Sequence, residues 1–172
     1  KQASIQEAEG YMNREHGYGY VRAQKTRIEE IMGFAEKMGY KRLGIAFCIG
    51  LRKEAHVVEK VFSAAGFDVI SVICKVGRAS KEQIGVAKEQ QINPKAEEAM
   101  CNPVLQAMAL NKAKTHFNVL LGLCVGHDSV FFKYVEAPTT VLAVKDRVTG
   151  HNPLAAIYLS DSYYHKIKQT LR

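Results

Sequence analysis

At 172 residues, with an apolar share of 47% and a charged share of 24%, the chain can bury a full hydrophobic core without disulfide staples, and no apolar run approaches the roughly 18 residues of a membrane span. Its formal charge of +7 comes from Lys and Arg spread along the chain, so nucleic-acid binding is not expected and a basic, solvated surface is. Four cysteines without a C-x-x-C pair are too sparse for a secreted disulfide scaffold and point to a reducing, cytoplasmic setting. The chain opens on Lys1 with neither an initiator Met nor an apolar targeting segment, so the expectation is that something upstream was removed, processed or not included.

Residues 1–20 read as an N-terminal arm or helix, closed by the Gly- and Tyr-rich stretch His16-Gly-Tyr-Gly-Tyr20. Its Gly-x-Gly follows no strand and so fails the context of a dinucleotide fingerprint. Residues 21–172 read as a single α/β domain. Arg22 to Met38 carries Ile28, Ile31, Met32, Ala35 and Met38 at helical spacing, with Gly39 where a helix ends. Leu43 to Cys48 is a short apolar run suited to a strand buried on both faces. A helix over Arg52–Ala65 and a second strand over Phe67–Cys74 complete a βαβ unit, which makes the strands parallel and the crossover right-handed.

From Lys75 to Met100 the periodicity is lost, with Gly77, Gly85 and Asn93-Pro94 as breaks and at most a short helix near Ser80–Ile84. Asn102 as N-cap and Pro103 as first helical residue start a helix through about Ala113. Asn118 to Cys124 is the third strand, and Asp128 is the natural cap of a short helix through Tyr134. Pro138 introduces a fourth strand over Thr140–Lys145, Asn152-Pro153 starts an apolar helical stretch, and Asp161 to Leu171 closes the chain as a helix. The expectation is a three-layer α/β/α, Rossmann-like domain with a mainly parallel sheet of about four strands.

Cys48, Cys74 and Cys124 each end an apolar run just before a glycine-containing turn, and Cys101 precedes a capped helix. The carboxyl ends of parallel strands share one edge, where ligands bind, so all four thiols are expected to converge there as metal ligands rather than scatter as core filler. Four thiolates suit zinc or an iron–sulfur cluster. One cysteine from each of four separate turns favours the cluster, because structural zinc sites usually draw on paired C-x-x-C turns. Helix N-termini after Cys48, Cys101 and Cys124 would face an anionic cluster, and Arg52, Lys75, Lys145 and Arg147 would add positive charge. Asn102, Gly126 and Asp146 lie in the same turns and complete the expected binding set.

A second reading makes Cys124 a nucleophile with His127 and Asp128 beside it. Asp128 would otherwise cap its helix, and His127 could be a ligand, a base or an outer partner. A third makes the turns a cradle for a small anionic ligand. His16, His56, His116 and His165 carry no expected role.

Cys101-Asn-Pro, Asn118-Val-Leu-Leu-Gly-Leu-Cys-Val-Gly-His-Asp128, Val144-Lys-Asp-Arg147, His151-Asn-Pro153 and Phe47-Cys-Ile-Gly-Leu-Arg52 together resemble the bacterial and archaeal DUF1847 family. The resemblance runs from about Tyr20 onward. It implies a metal-binding protein whose centre sits on Cys48, Cys74, Cys101 and Cys124, with His127 and Asp128 adjacent. Family members carry a further cysteine-rich stretch near the N-terminus, which these residues lack. A redox, sensing or electron-transfer role with a redox partner is the function that follows.

Overall fold

The structure, a computed structural model, describes residues 1–169. Its elements in chain order are α1 (Gln2–Glu9), β1 (Tyr11–Met12), β2 (Arg22–Ala23), α2 (Arg27–Lys37), β3 (Arg42–Phe47), α3 (Arg52–Ala64), β4 (Asp68–Ile73), α4 (Pro103–Lys112), β5 (Phe117–Leu121), α5 (His127–Tyr134), β6 (Thr139–Ala143) and α6 (Leu154–Tyr158). β1 and β2 form a small antiparallel pair, and β4-β3-β5-β6 form a parallel sheet in that order. The order reverses between β3 and β5. One connection from that pair leaves toward β4 and the other toward β6, which opens the crevice where such sheets hold ligands.

The helix expected from Arg22 starts later. Arg22 and Ala23 pair with Met12 and Tyr11, and α2 begins after Thr26, whose N–H and hydroxyl both donate to Glu29 Oε2 at 2.6 Å. That reciprocal Thr/Glu spacing fixes the start of the helix more firmly than its apolar stripe does. The closing helix is also shorter than expected. Residues 161–164 are turns, His165–Lys168 is a single 3₁₀ turn, and Leu171 lies outside the described residues. The segment before α4 is irregular as expected. A 3₁₀ turn occupies Lys81–Ile84, and an isolated bridge joins Ser80 to Ala99.

Two cores lie on opposite faces of the sheet. One packs Ile31 and Ala35 of α2 with Ala55, Val58 and Phe62 of α3 against Leu43, Ile45, Val119 and Leu121. The other packs Ala107 and Leu110 of α4 with Phe131 of α5 against Ala46, Leu120, Cys48 and Cys74. Fully buried rings such as Phe62 and Phe131 contribute about 1.5–3 kcal/mol each. The result is the three-layer α/β/α arrangement. Among the described residues no helix is long and apolar enough to cross a membrane.

Two glycines are set by close approach. Gly44 of β3 lies in register with Asn118 of β5, and a Cβ there would stand 2.0 Å from Asn118 Oδ1 and 3.0 Å from both Leu110 methyls. Gly122 turns the chain off β5 at φ +67°, with Leu51 Cδ1 2.1 Å from where its Cβ would be.

Candidate thiol centre

Alternation along the strands aims the first two thiols. Ala46 and Cys48, like Val72 and Cys74, fall on the sheet face covered by α4 and α5. Because Phe47 is in register with Ile73, the residues that follow them lie side by side, and Cys74 N–H donates to Phe47 O at 2.8 Å. Cys101 reaches them through the backbone, since Asn102 N–H donates to Cys74 O at 2.8 Å and Met100 N–H to Ala79 O at 2.8 Å. Asn102 then caps α4, its Oδ1 accepting from Leu105 N–H at 2.9 Å. Asn102→Ala is expected to cost about 1 kcal/mol in chemical denaturation and to loosen Cys101 with it. An unchanged unfolding midpoint would refute this assignment.

The three thiols act on one another's ionisation in a run, Cys48 to Cys74 to Cys101, which continues to His127. The Cys74 hydrogen bond draws the Cys101 thiol down to about 4, aided by His127 and by the charge of Lys75, against the cost of burial. At the other end the Cys74 hydrogen bond lowers Cys48 to about 5. Burial again opposes, and Gly50 N–H and Lys145 assist. Cys74 itself is pushed up by Cys101, then Cys48, then burial, although Ile49 N–H donates to its Sγ at 3.3 Å. Cys101 in turn raises His127. One S–H can serve one neighbour at a time, so the direction is firmest for Cys101, which keeps an imidazole donor when the Cys74 proton turns to Cys48.

Beneath the run lies fully buried Gln106 of α4, donating through Nε2 to Val72 O at 2.7 Å and Phe47 O at 3.2 Å. Its Oε1 has no partner. It ties α4 to the ends of β3 and β4, at Phe47 just before Cys48 and at Val72 two residues before Cys74. Sequence reasoning passed over Gln106, and the available signal was one amide in an otherwise apolar helix from Pro103 to Leu110.

Cys124 stands apart. β5 ends at Leu121, three residues before it, because Gly122 turns the chain. The position matching Cys48 in register is therefore Gly122. The Cys124 sulfur accepts from Arg147 Nη2 at 3.1 Å. Among the described residues no three Cys, His, Asp or Glu side chains stand as a ready metal cage. The donor chemistry of the run, three thiols and an imidazole, nonetheless fits a soft metal.

The other expected residues divide. Lys145 joins the centre: its Nζ and Cys48 Sγ lie 3.3 and 3.8 Å from where a Cβ on Gly50 would stand, and its charge helps to lower Cys48. Lys75 Nζ donates to Ala99 O and pairs with Glu98 at 3.8 Å, which holds the irregular segment close to Cys101. Arg52 is exposed at the start of α3. Asp146 folds its own turn, accepting from Val148 and Thr149 N–H at 2.9 and 3.0 Å. Asp128 does not cap α5. The cap position belongs to Gly126, at φ +87°, and Asp128 Oδ1 accepts from Ser129 N–H at 2.7 Å within the first turn. A cavity of about 540 Å³ lies away from the thiols, between α1, α2 and the starts of β5 and β6, lined by Gln6, Arg27, Phe34, Phe117 and Thr139 among others.

A family model described as "Protein of unknown function (DUF1847)" matches residues 1–142, a span that contains all four cysteines and His127 and stops short of Lys145 and Arg147. A protein of Methanocaldococcus jannaschii described as "Uncharacterized protein MJ0455" is 50% identical over 143 residues, covering 83% of this chain and 71% of that one. No solved structure matches. With a family model spanning most of the chain and half of the aligned residues shared with that archaeal protein, the chain belongs to the DUF1847 family.

Proposed function

We propose that this protein binds a soft metal, an iron–sulfur cluster or zinc, at the carboxyl edge of its sheet, in a redox, sensing or electron-transfer role. Cys48, Cys74 and Cys101 are the central donors, with His127 beside them and Cys124 on the neighbouring turn. The observation that carries the reading is the meeting of three thiols from three separate chain turns, with Cys101 held below neutrality at the end nearest His127. Metals bind thiolates, and a thiol that is already ionised at neutral pH gives up no proton on ligation. Lys145 and Lys75 offset the negative charge such a set carries. With four cysteines the cluster is the natural occupant. With His127 in place of Cys124 the set becomes Cys₃His, a zinc pattern.

Anaerobic purification followed by visible absorption and by iron, sulfide and zinc analysis tests the reading. A metal centre in near-stoichiometric amount is expected, reduced at least about tenfold in Cys48→Ser and Cys101→Ser. A metal-free preparation whose Cys→Ser variants are all as stable as the parent would sink it. The Cys124→Ser variant decides between the two ligand sets.

The contact between Arg147 Nη2 and Cys124 Sγ favours a second reading. There Cys124 is the nucleophile of an enzyme acting on a small anionic molecule, with Arg147 placed to meet both sulfur and substrate. That reading requires Cys124 to be the first thiol alkylated by iodoacetamide and small anions to protect it.

A further inference from the structure

We propose that the chain also carries out thiol–disulfide exchange, with Cys101 as the attacking sulfur and Cys74 as its resolving partner, on low-molecular-weight or protein disulfides. The inference rests on the same thiol run as the metal reading but not on a metal. Three features of the run carry it. The first is access. Cys74 is 2% exposed and Cys48 8%, so neither can be reached by a disulfide from solution, whereas Cys101 is only half-buried.

The second is proximity. Cys101 packs on the core cluster that contains Cys74, and the hydrogen bond from Asn102 N–H to Cys74 O at 2.8 Å sets the two backbones side by side. The third is fixation. The chain between them leaves Cys74 and returns to Cys101 through the Ser80–Ala99 bridge, the Met100 N–H bond to Ala79 O and the anchoring of Lys75 and Lys81 on Glu98 at 3.8 and 2.9 Å. Both ends of the irregular segment are thus held beside each other before any bond forms, and a pair held this way reacts as an intramolecular one. The same arrangement gives Cys74 a choice of Cys48 or Cys101, and only Cys101 can first capture a substrate.

The chemistry balances as two displacements. The Cys101 thiolate attacks one sulfur of R–S–S–R′, the new Cys101–S–R bond forms as the S–S bond breaks, and R′S⁻ departs to take up the proton that Cys74 releases. The Cys74 sulfur then attacks Cys101 Sγ and expels RS⁻, which is protonated from solvent to match the proton lost when Cys101 ionised. The products are a Cys74–Cys101 disulfide and two substrate thiols, so the substrate is reduced by two electrons and the pair oxidised by two. The new bond closes the base of residues 75–100.

The test uses reduced, desalted protein under anaerobic conditions with 5,5′-dithiobis(2-nitrobenzoate) and oxidised glutathione as probes, and mass-spectrometric mapping of the thiols. The expected result is a Cys74–Cys101 cross-link with no probe retained on Cys101. Cys74→Ser should trap the probe as a lasting mixed disulfide on Cys101, and Cys101→Ser should slow probe reduction by about tenfold or more. A lasting adduct on Cys101 in the parent chain, a cross-link joining Cys48 to Cys74 instead, or reaction confined to Cys124 would each overturn the proposal. If Cys74→Ser does not fold, the cross-link map of the parent chain decides alone. Metal analysis of the same preparation, with a chelator-treated portion run in parallel, separates the two readings. Cross-linking by a metal-free protein counts against the metal centre only, and a metal-loaded protein that forms no cross-link after chelation counts against exchange only.

Discussion

Gly44→Ala should lower the unfolding free energy by about 3 kcal/mol, measured in urea at neutral pH. The added methyl would begin 2.0 Å from Asn118 Oδ1, far inside van der Waals contact, and neither neighbour can give way cheaply. Asn118 is fully buried, its Oδ1 accepts the Thr115 hydroxyl at 2.8 Å, and its Nδ2 already lacks a partner. Turning the amide aside would give up the 2.8 Å bond and leave the Thr115 hydroxyl, itself 7% exposed, with only the longer contact to Leu110 O at 3.3 Å, at a further cost of about 1 kcal/mol. Retreating on the other side means displacing Leu110, which is fully buried against the inner sheet face. The strain sits in the two central strands, so it spreads into the sheet rather than to a surface loop. Gly44→Ala combined with Asn118→Ser should recover part of the loss, and the two changes should be clearly non-additive because they share one contact. A loss below about 0.5 kcal/mol for Gly44→Ala alone would show that the two side chains can be repacked.

The strands and helices of the sheet were legible because their signals are local. Apolar runs ending at Gly39 and Gly66, and the Asn102-Pro103 start, mark boundaries that the structure keeps within a few residues. The β1 and β2 pair was not legible, since two-residue strands carry no periodicity and their pairing across Tyr11–Ala23 is a tertiary fact. Gln106 and Asn118 were hidden for a related reason: each is a lone amide in an apolar run, and only the register shows what it bonds. The thiol centre was half legible. Strand ends placed Cys48 and Cys74 together correctly, but the third run was read through to Cys124 as one strand, whereas the positive φ of Gly122 ends it at Leu121. That three-residue displacement separates Cys124 from the run and sets it beside Arg147. His127, whose role the sequence left open, lies at the Cys101 end of the run, one helical turn beyond Cys124.

In reduced, metal-free protein, alkylation of Cys101 by iodoacetamide should be nearly independent of pH between about 5 and 8, where an ordinary thiol gains about tenfold per unit. The reason is the depression of Cys101 to about 4 by Cys74 and His127, which leaves it ionised across that range. The absolute rate is a poor readout. At pH 6 the ionised fraction exceeds that of a free thiol by about 300-fold, yet the weaker nucleophilicity of so acidic a thiolate gives back about 100-fold. The shape of the profile is therefore what discriminates. His127→Ala removes the second donor and should move the midpoint upward, and Cys74→Ala, which removes the first, should move it further. Stability follows the same group with a definite sign. Cys101 is more acidic folded than unfolded, so its contribution is complete above the unfolded thiol value near 8.5 and is lost as pH falls through about 4. His127, raised by the same contact, contributes below its unfolded value and fades as pH rises through its folded one. Cys101→Ser should remove both dependences together, because the first belongs to the Cys101 thiol itself and Cys101 is the main cause of the second. A Cys101 profile that climbs tenfold per unit through pH 6–8, in protein shown to be folded, would mean that the proton rests on Cys101 and that the thiolate end of the run is elsewhere.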